Sequence, residues 1–252
     1  EVYSNRSGID FPLYQVGDFP TPTPIPTPAF TGSFVERGDY NGDGLSDIAI
    51  FRGSSGLWAV RALTRLYFGG SSDLPVSGDY DGDGTSEIAI FRGSSGLWAV
   101  RALTRRYFGA DGDLPVPGDY DGDGYCDMAI FRNSSGLWAI QAQTRFYFGS
   151  TGDRPSPGDY NGDSTSDAAI YRSSSSLWAM RGISRVYFGG SSDWPVPGDY
   201  DGDGTWSPGI FRESSGLWAL RSTTRIYFGG NGDYPVPADY YGLIGDDPAI
   251  FR

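Results

Sequence analysis

The sequence predicts an all-β fold, a six-bladed β-propeller of 40-residue, four-stranded blades closed by a composite blade drawn from both termini. Three observations predict it. GDY recurs at Gly38, Gly78, Gly118, Gly158 and Gly198, with a weaker ADY at Ala238, so the period is 40 without drift. Each period holds four short runs rich in β-branched and aromatic residues, such as LPVSGDY, EIAIFR, LWAVRAL and TRLYFG, parted by Gly, Ser, Pro and Asp. No window sustains a helical period. Small sheets that bury both faces against their neighbours, and keep only short edges, are the logic of a propeller. A linear β-solenoid is the alternative, although its coils are usually shorter.

Taken in chain order, residues 1–19 are expected to supply the strands that complete the sixth blade, with QVG standing where other copies have YFG. Residues 20–34 contain PTPTPIPTPAF, in which alternating proline enforces an extended surface linker without donors for a central strand. Docking of a proline-reading domain, or O-glycosylation at its threonines, is the functional alternative. Residues 35–74, 75–114, 115–154, 155–194 and 195–234 are blades one to five, and 235–252 form the first half of the sixth. The chain's 252 residues accommodate six periods of 40 and not seven.

Composition narrows the partners. There are 31 acidic against 19 basic residues, every basic residue is Arg, and the formal net charge is −12. A surface of that sign gains no counterion release from nucleic acid or an anionic membrane, so neither is an expected partner; cations are the natural complement. The apolar runs are short and no basic-then-apolar leader opens the sequence, so no membrane insertion is expected and a signal peptide is absent or already removed. Cys126, the single cysteine, cannot form an intramolecular disulfide and reads as a small residue filling a turn.

The acidic residues are crowded at ligand spacing. In the second copy, positions 1, 3 and 5 are Asp79, Asp81 and Asp83, position 6 is Gly84, position 7 offers the Thr85 carbonyl and position 9 is Glu87. Hard oxygen donors at this spacing, with glycine for the sharp turn, are the front of a calcium loop. Position 12, which carries a bidentate Glu in an EF-hand, is Ile90 within a strand, so the loop joins two strands of a blade. Asp39, Asn41, Asp43, Leu45 and Asp47 form another set, as do Asp119, Asp121, Asp123, Tyr125 and Asp127. The fourth copy keeps Asp159, Asn161, Asp163, Thr165 and Asp167 but replaces the turn glycine by Ser164. The fifth has Asp199, Asp201, Asp203 and Thr205, with Ser207 at position 9, and the sixth has lost positions 3 and 5 to Tyr241 and Leu243. Five calcium ions are therefore expected, tighter in the first three loops than in the next two, with affinities of roughly 10⁻⁴ M that only extracellular calcium would saturate.

These units resemble FG-GAP or VCBS repeats, the blades of integrin α-subunit propellers and of many secreted bacterial proteins. The likeness covers residues 35–252 and rests on DxDxDGxxD between strands, the trailing IAIFR and the outer YFG. It implies a calcium-bearing propeller outside the cytoplasm, secreted or on the cell surface, usually serving adhesion, carbohydrate binding or assembly and occasionally scaffolding a polysaccharide lyase. Six copies rather than seven separate this chain from integrins.

Catalysis is not expected. Without His or Lys, the usual general base, the Schiff-base amine and the Ser–His pair are missing. A carboxylate pair suits glycoside hydrolysis, but 17 of the 31 acidic residues lie in the five loops and the next set, Asp73, Asp113, Asp153, Asp193 and Asp233, repeats in every blade. A multivalent binding module for glycans or a surface protein is the expectation, with a purely structural or surface-display role as the alternative. Trp58, Trp98, Trp138, Trp178 and Trp218, with Arg61, Arg101, Arg181, Arg221 and the Tyr67 series, are the candidate sugar-binding residues, one shallow pocket per blade. Packing between blades is the competing reading of the Trp series. The varied position on the outermost strand, Leu66, Arg106, Phe146, Val186 and Ile226, is expected to be exposed.

Overall fold

The computed structural model describes residues 33–242 and 245–252. The first blade is an antiparallel sheet of β1 (Ser33–Gly38), β2 (Asp47–Arg52), β3 (Leu57–Val60) and β4 (Thr64–Tyr67), in that spatial order. The second repeats it with β5 (Asp73–Pro75), β6 (Ala89–Arg92), β7 (Leu97–Val100) and β8 (Thr104–Tyr107). The third comprises β9 (Asp113–Pro115), β10 (Ala129–Arg132), β11 (Leu137–Ile140) and β12 (Thr144–Tyr147). The fourth comprises β13 (Arg154–Pro155), β14 (Ala169–Arg172), β15 (Leu177–Met180) and β16 (Ser184–Tyr187). The fifth comprises β17 (Trp194–Pro195), β18 (Gly209–Arg212), β19 (Leu217–Leu220) and β20 (Thr224–Tyr227). A last, two-stranded sheet pairs β21 (Tyr234–Pro235) with β22 (Ile250–Phe251).

The architecture is an all-β propeller, and among the described residues the expected six blades are corrected to five of four strands. The segment proposed to complete a sixth, residues 1–19, lies outside the described residues, as does most of the proline-rich segment 20–34. Ser33 and Phe34 belong to β1 rather than to a linker, since Ser33 pairs with Arg52. Blades two and three open at Asp73 and Asp113, two residues before the boundaries read from the repeat, because that aspartate pairs with the arginine ending the next strand.

Adjacent blades are fastened by backbone as well as side chains. Ser86 N–H donates to Asp39 O at 2.5 Å, Cys126 to Asp79 at 2.6 Å, Ser166 to Asp119 at 2.5 Å, Trp206 to Asp159 at 2.6 Å and Asp246 to Asp199 at 2.5 Å. Ser46 N–H then donates to Asp239 O at 2.8 Å, which joins the last repeat to the first. These bonds run between the acidic loops, so the loops form one crown.

The core lies between blades. Phe91, Trp98 and Val100 of the second blade pack with Met128 and Ile130 of the third, and Ala99 on the opposite face of β7 joins Phe51 and Trp58 of the first. Blades two to five thus bury both faces, while the first leaves Ile48 exposed and Ile50 and Ala59 half-buried on one face; the outermost strands β4, β8, β12, β16 and β20 carry most of the exposed surface. No helix among the described residues is long and apolar enough to cross a membrane.

Candidate functional site

Each acidic loop leaves the innermost strand of its blade, turns, and enters the second strand. Position 1 builds the turn: Asp79 Oδ1 accepts the Gly82 N–H at 2.7 Å and Oδ2 accepts the Gly84 N–H at 2.9 Å. Gly84 has φ +86°, the left-handed region that glycine enters without a Cβ penalty. Ser164, in the fourth loop, takes the same turn at φ +67° and still donates its N–H to Asp159 Oδ2, so the missing glycine does not open the loop. Thr85 secures position 5 by donating N–H and Oγ1–H to Asp83 Oδ1 at 2.8 and 2.6 Å. Glu87, two residues before β6 and bridged to Gly78, accepts the Tyr80 N–H at 2.7 Å.

The turn brings the carboxylates together. One oxygen from each of Asp79, Asp81, Asp83 and Glu87 lies within 4.8 Å of the others, and the same holds for Asp119, Asp121 and Asp127, and for Asp199, Asp201 and Asp203. In the first loop the Asn41 amide donates to both Asp47 oxygens at 3.2 Å, and in the fourth Asn161 donates to Asp167 at 3.4 Å, so an amide stands where loops two and three hold a third or fourth charge. Gln143, which the sequence reading passed over, reaches into the third loop and donates to Asp121 Oδ2 at 2.8 Å and Asp127 Oδ1 at 2.7 Å. The signal was there: Leu63, Leu103, Ile183 and Thr223 occupy the equivalent place in the other blades, and an amide breaks that series.

The electrostatics follow from the crowding. Glu87 is raised above the usual carboxylate range by burial, eased by the Tyr80 N–H and raised further by the charges of Asp81, Asp79 and Asp83. Asp127 and Asp167 are raised mainly by burial too, with their loop neighbours adding to it. Asp83, Asp163 and Asp203 are lowered by the threonine two residues on. Burial opposes the ionised form of Asp39, yet backbone N–H groups from Asn41 to Gly44 hold it below its ordinary value. Convergent carboxylate oxygens crowded this closely suit a hard cation, whose charge relieves the repulsion.

The position-7 residues form the crown's contacts as well. A Cβ on Gly42 would lie 3.2 Å from Thr85 Cγ2, and one on Gly242 would lie 2.8 Å from Leu45 Cδ2, so each side chain leans on the preceding loop. Tyr125 covers Gly82 in the same way, and Thr165 and Thr205 cover Gly122 and Gly162.

The second set of predicted residues separates. Trp58, Trp98, Trp138, Trp178 and Trp218 are fully buried, and each indole N–H is spent on a backbone carbonyl, as in Trp98 Nε1 to Phe108 O at 3.0 Å. They are core, not a ligand surface, because a propeller buries the faces that a free sheet would expose. Arg61, Arg101, Arg181 and Arg221 are exposed, and Arg181 lies over the Phe146 ring of the preceding blade at 4.1 Å from its centroid. The varied outer-strand position is corrected likewise: Leu66, Phe146, Val186 and Ile226 are half-buried, pair with the Trp series and cover it, leaving Arg106 as the exposed member.

What the outer strands do expose is Tyr67, Tyr107, Tyr147, Tyr187 and Tyr227, each 75–76% accessible, with Arg65, Arg105, Arg145, Arg185 and Arg225 two residues before. Between the fourth and fifth blades this belt borders a groove of about 390 Å³ lined by Tyr187, Phe188, Arg212, Leu217 and Arg225. The arginine of that pair was legible at fixed spacing from the tyrosine and was missed.

No family model matches the chain and no curated protein matches it. Solved structures do match. The virginiamycin B lyase of Staphylococcus aureus is similar at 8% identity and a TM-score of 0.50, over 87% of this chain and 90% of that one. A structure of BBS1N in complex with ARL6DN, soaked with lead, is similar at 9% identity and a TM-score of 0.48, over 77% of this chain and 67% of that one.

This chain is a β-propeller. The match at 8% identity establishes the fold alone, but it corrects the expectation that the chain is no enzyme, since a propeller of this shape is a lyase. A missing histidine and lysine do not decide the matter for the fold.

Proposed function

We propose that this propeller is a calcium-binding binding module of the FG-GAP or VCBS type, acting outside the cytoplasm and multivalent through its repeated outer strands. The observation that carries the reading is the convergence of Asp79, Asp81, Asp83 and Glu87 to within 4.8 Å, in a loop whose turn is already set by Asp79. Calcium would be held there by those four carboxylates and the Thr85 carbonyl, and it would supply charge neutralisation and order to the crown. Loops one, three, four and five offer the corresponding residues, and the sixth keeps only Asp239 and Asp247 at the corresponding carboxylate positions. Five divalent ions would take the formal charge from −12 to −2.

The ligand surface is the Tyr–Arg belt on the outer strands. Exposed aromatic rings beside planar guanidinium donors suit carbohydrate, acidic glycans above all, and equivalent weak sites on successive blades sum to avidity. A protein partner is the alternative reading of the same exposed tyrosines. Calorimetric titration of chelator-stripped protein tests the metal: about five ions bound and a rise in melting temperature are expected, and fewer than three ions or an indifferent melt refutes it. A glycan array probed with and without calcium tests the ligand, with Tyr107→Ala and Arg105→Ala as variants; uniform failure to bind any glycan refutes the carbohydrate assignment.

A further inference from the structure

Three buried side-chain polar atoms among the described residues lack any partner, and all three lie on or directly after the innermost strands of two neighbouring blades: Arg154 Nη1, Ser156 Oγ and Trp194 Nε1. Arg154 lies in β13 and Trp194 in β17, the innermost strands of the fourth and fifth blades, and Ser156 follows β13 directly. The guanidinium of Arg154 stacks over the Trp194 ring at 5.0 Å from its centroid, and the Tyr234 ring meets Trp194 edge-on at 6.0 Å.

The place is singular in a molecule that otherwise repeats. Where blade four has Arg154, the second and third blades have Leu74 and Leu114, and where it has Ser156 the second, third, fifth and last repeats have Val76, Val116, Val196 and Val236, the first having Glu36. Tyr171, the register partner of Arg154, replaces the phenylalanine of Phe51, Phe91, Phe131 and Phe211, and its hydroxyl donates to Gly190 O at 2.6 Å. Leu74 and Val76 pack into the core between blades two and three, so Arg154 and Ser156 put a charge and a hydroxyl at the axial end of an equivalent core. The neighbouring carboxylates do not compensate them. Asp153 is held by Arg172 and Asp193 by Arg212, each through two hydrogen bonds at 2.7–2.8 Å.

Arg154 and Trp194 are half-buried as residues, but an Nη1 and an indole N–H shut away from water without a partner, with the Ser156 hydroxyl likewise unsatisfied, are unfavourable if nothing fills the place. We propose that the axial end of the interface between blades four and five is a binding site for a small carboxylate, received by Arg154 Nη1 and Trp194 Nε1 with Ser156 Oγ as a third contact. The guanidinium and indole are donors only, which fixes the ligand as an acceptor; a guanidinium pairs with carboxylate and phosphate alike, and the carboxylate is the smaller, flat anion that a position so enclosed admits. Burial lowers the Arg154 pKa, opposed by the nearby Tyr171, which agrees with a charge that lacks its counter-ion.

The test uses the full chain saturated with calcium and follows the seven tryptophan indole N–H resonances by NMR during titration with sodium acetate, sodium phosphate and sodium chloride at constant ionic strength. One resonance, assigned to Trp194 by its loss in Trp194→Phe, is expected to shift saturably with acetate and less readily with the bulkier phosphate. Arg154→Leu, which restores the residue of blades two and three, is expected to fold, to melt higher than the parent without acetate, and to lose the acetate shift. No acetate shift, an equal shift with chloride, a preference for phosphate, or a shift that survives in Arg154→Leu each overturns the proposal.

Discussion

Arg92 holds the carboxylate of Asp73 with both Nε and Nη2, at 2.6 and 2.7 Å, while the Asp73 side chain is fully buried and that of Arg92 stays 39% exposed. Asp73 Oδ2 also accepts the Gly70 N–H at 2.8 Å, so one carboxylate ties the entry loop, the innermost strand and the second strand together. Asp113–Arg132, Asp153–Arg172, Asp193–Arg212 and Asp233–Arg252 repeat it. Replacing the carboxylate strands a charge and a backbone donor at once. Asp113→Ala is therefore expected to lower stability by about 3 kcal/mol, the low end for a broken buried pair because the arginine can turn to water. A denaturant melt checks it; a loss below about 0.5 kcal/mol would make the pair ornamental.

The Trp and Tyr series should part in the same assay. Trp98→Ala removes a fully buried ring that packs 5.1 Å from Phe91, and is expected to cost about 3–5 kcal/mol. Tyr107→Ala, at 76% exposure, is expected to change stability by less than about 0.5 kcal/mol while lowering ligand avidity. Similar losses from both substitutions would contradict the assignment of one series to core and the other to surface.

Cys126 sits against Gly78 of the preceding blade, and burial pushes its thiol up to about 12, with the Tyr80 hydroxyl pulling slightly the other way. The unfolded thiol ionises near pH 8.5, so above that pH the unfolded state has released a proton that the folded state retains, and stability falls as pH rises toward 12. Relative to Cys126→Ser, the residue found at Ser46, Ser86 and Ser166, the parent is expected to lose about 2 kcal/mol between pH 7.5 and 10. Parallel stability curves for the two proteins would show an exposed thiol. Native protein at pH 8 should likewise resist iodoacetamide until it unfolds.

Gln143 occupies two of the acceptors that a cation in the third loop would use, Asp121 Oδ2 and Asp127 Oδ1. Gln143→Leu, the residue of blades one and two, is expected to destabilise the metal-free chain by about 1 kcal/mol and to tighten calcium binding at one site of the five. Calorimetry on the two proteins decides; weaker binding in the variant would instead make the Gln143 oxygen a calcium ligand.

The period, the strand content and the spacing of the acidic loops are local properties, and the chain itself determined them. Asp79, Asp81 and Asp83 converge because alternate residues of a tight turn point inward, which needs no knowledge of the neighbouring blade. The tertiary structure decided everything that depends on which blade faces which. In the sequence Trp98 is open to both readings, ligand surface or packing between blades, and it is core because the third blade covers it, while Leu66 turns inward because the second blade covers it. Asp73 finds Arg92 across 19 residues of chain. Arg154 meets Trp194, one period away, and Ser46 meets Asp239 at the join of last repeat and first, since a closed ring makes neighbours of residues that no sequence window holds together.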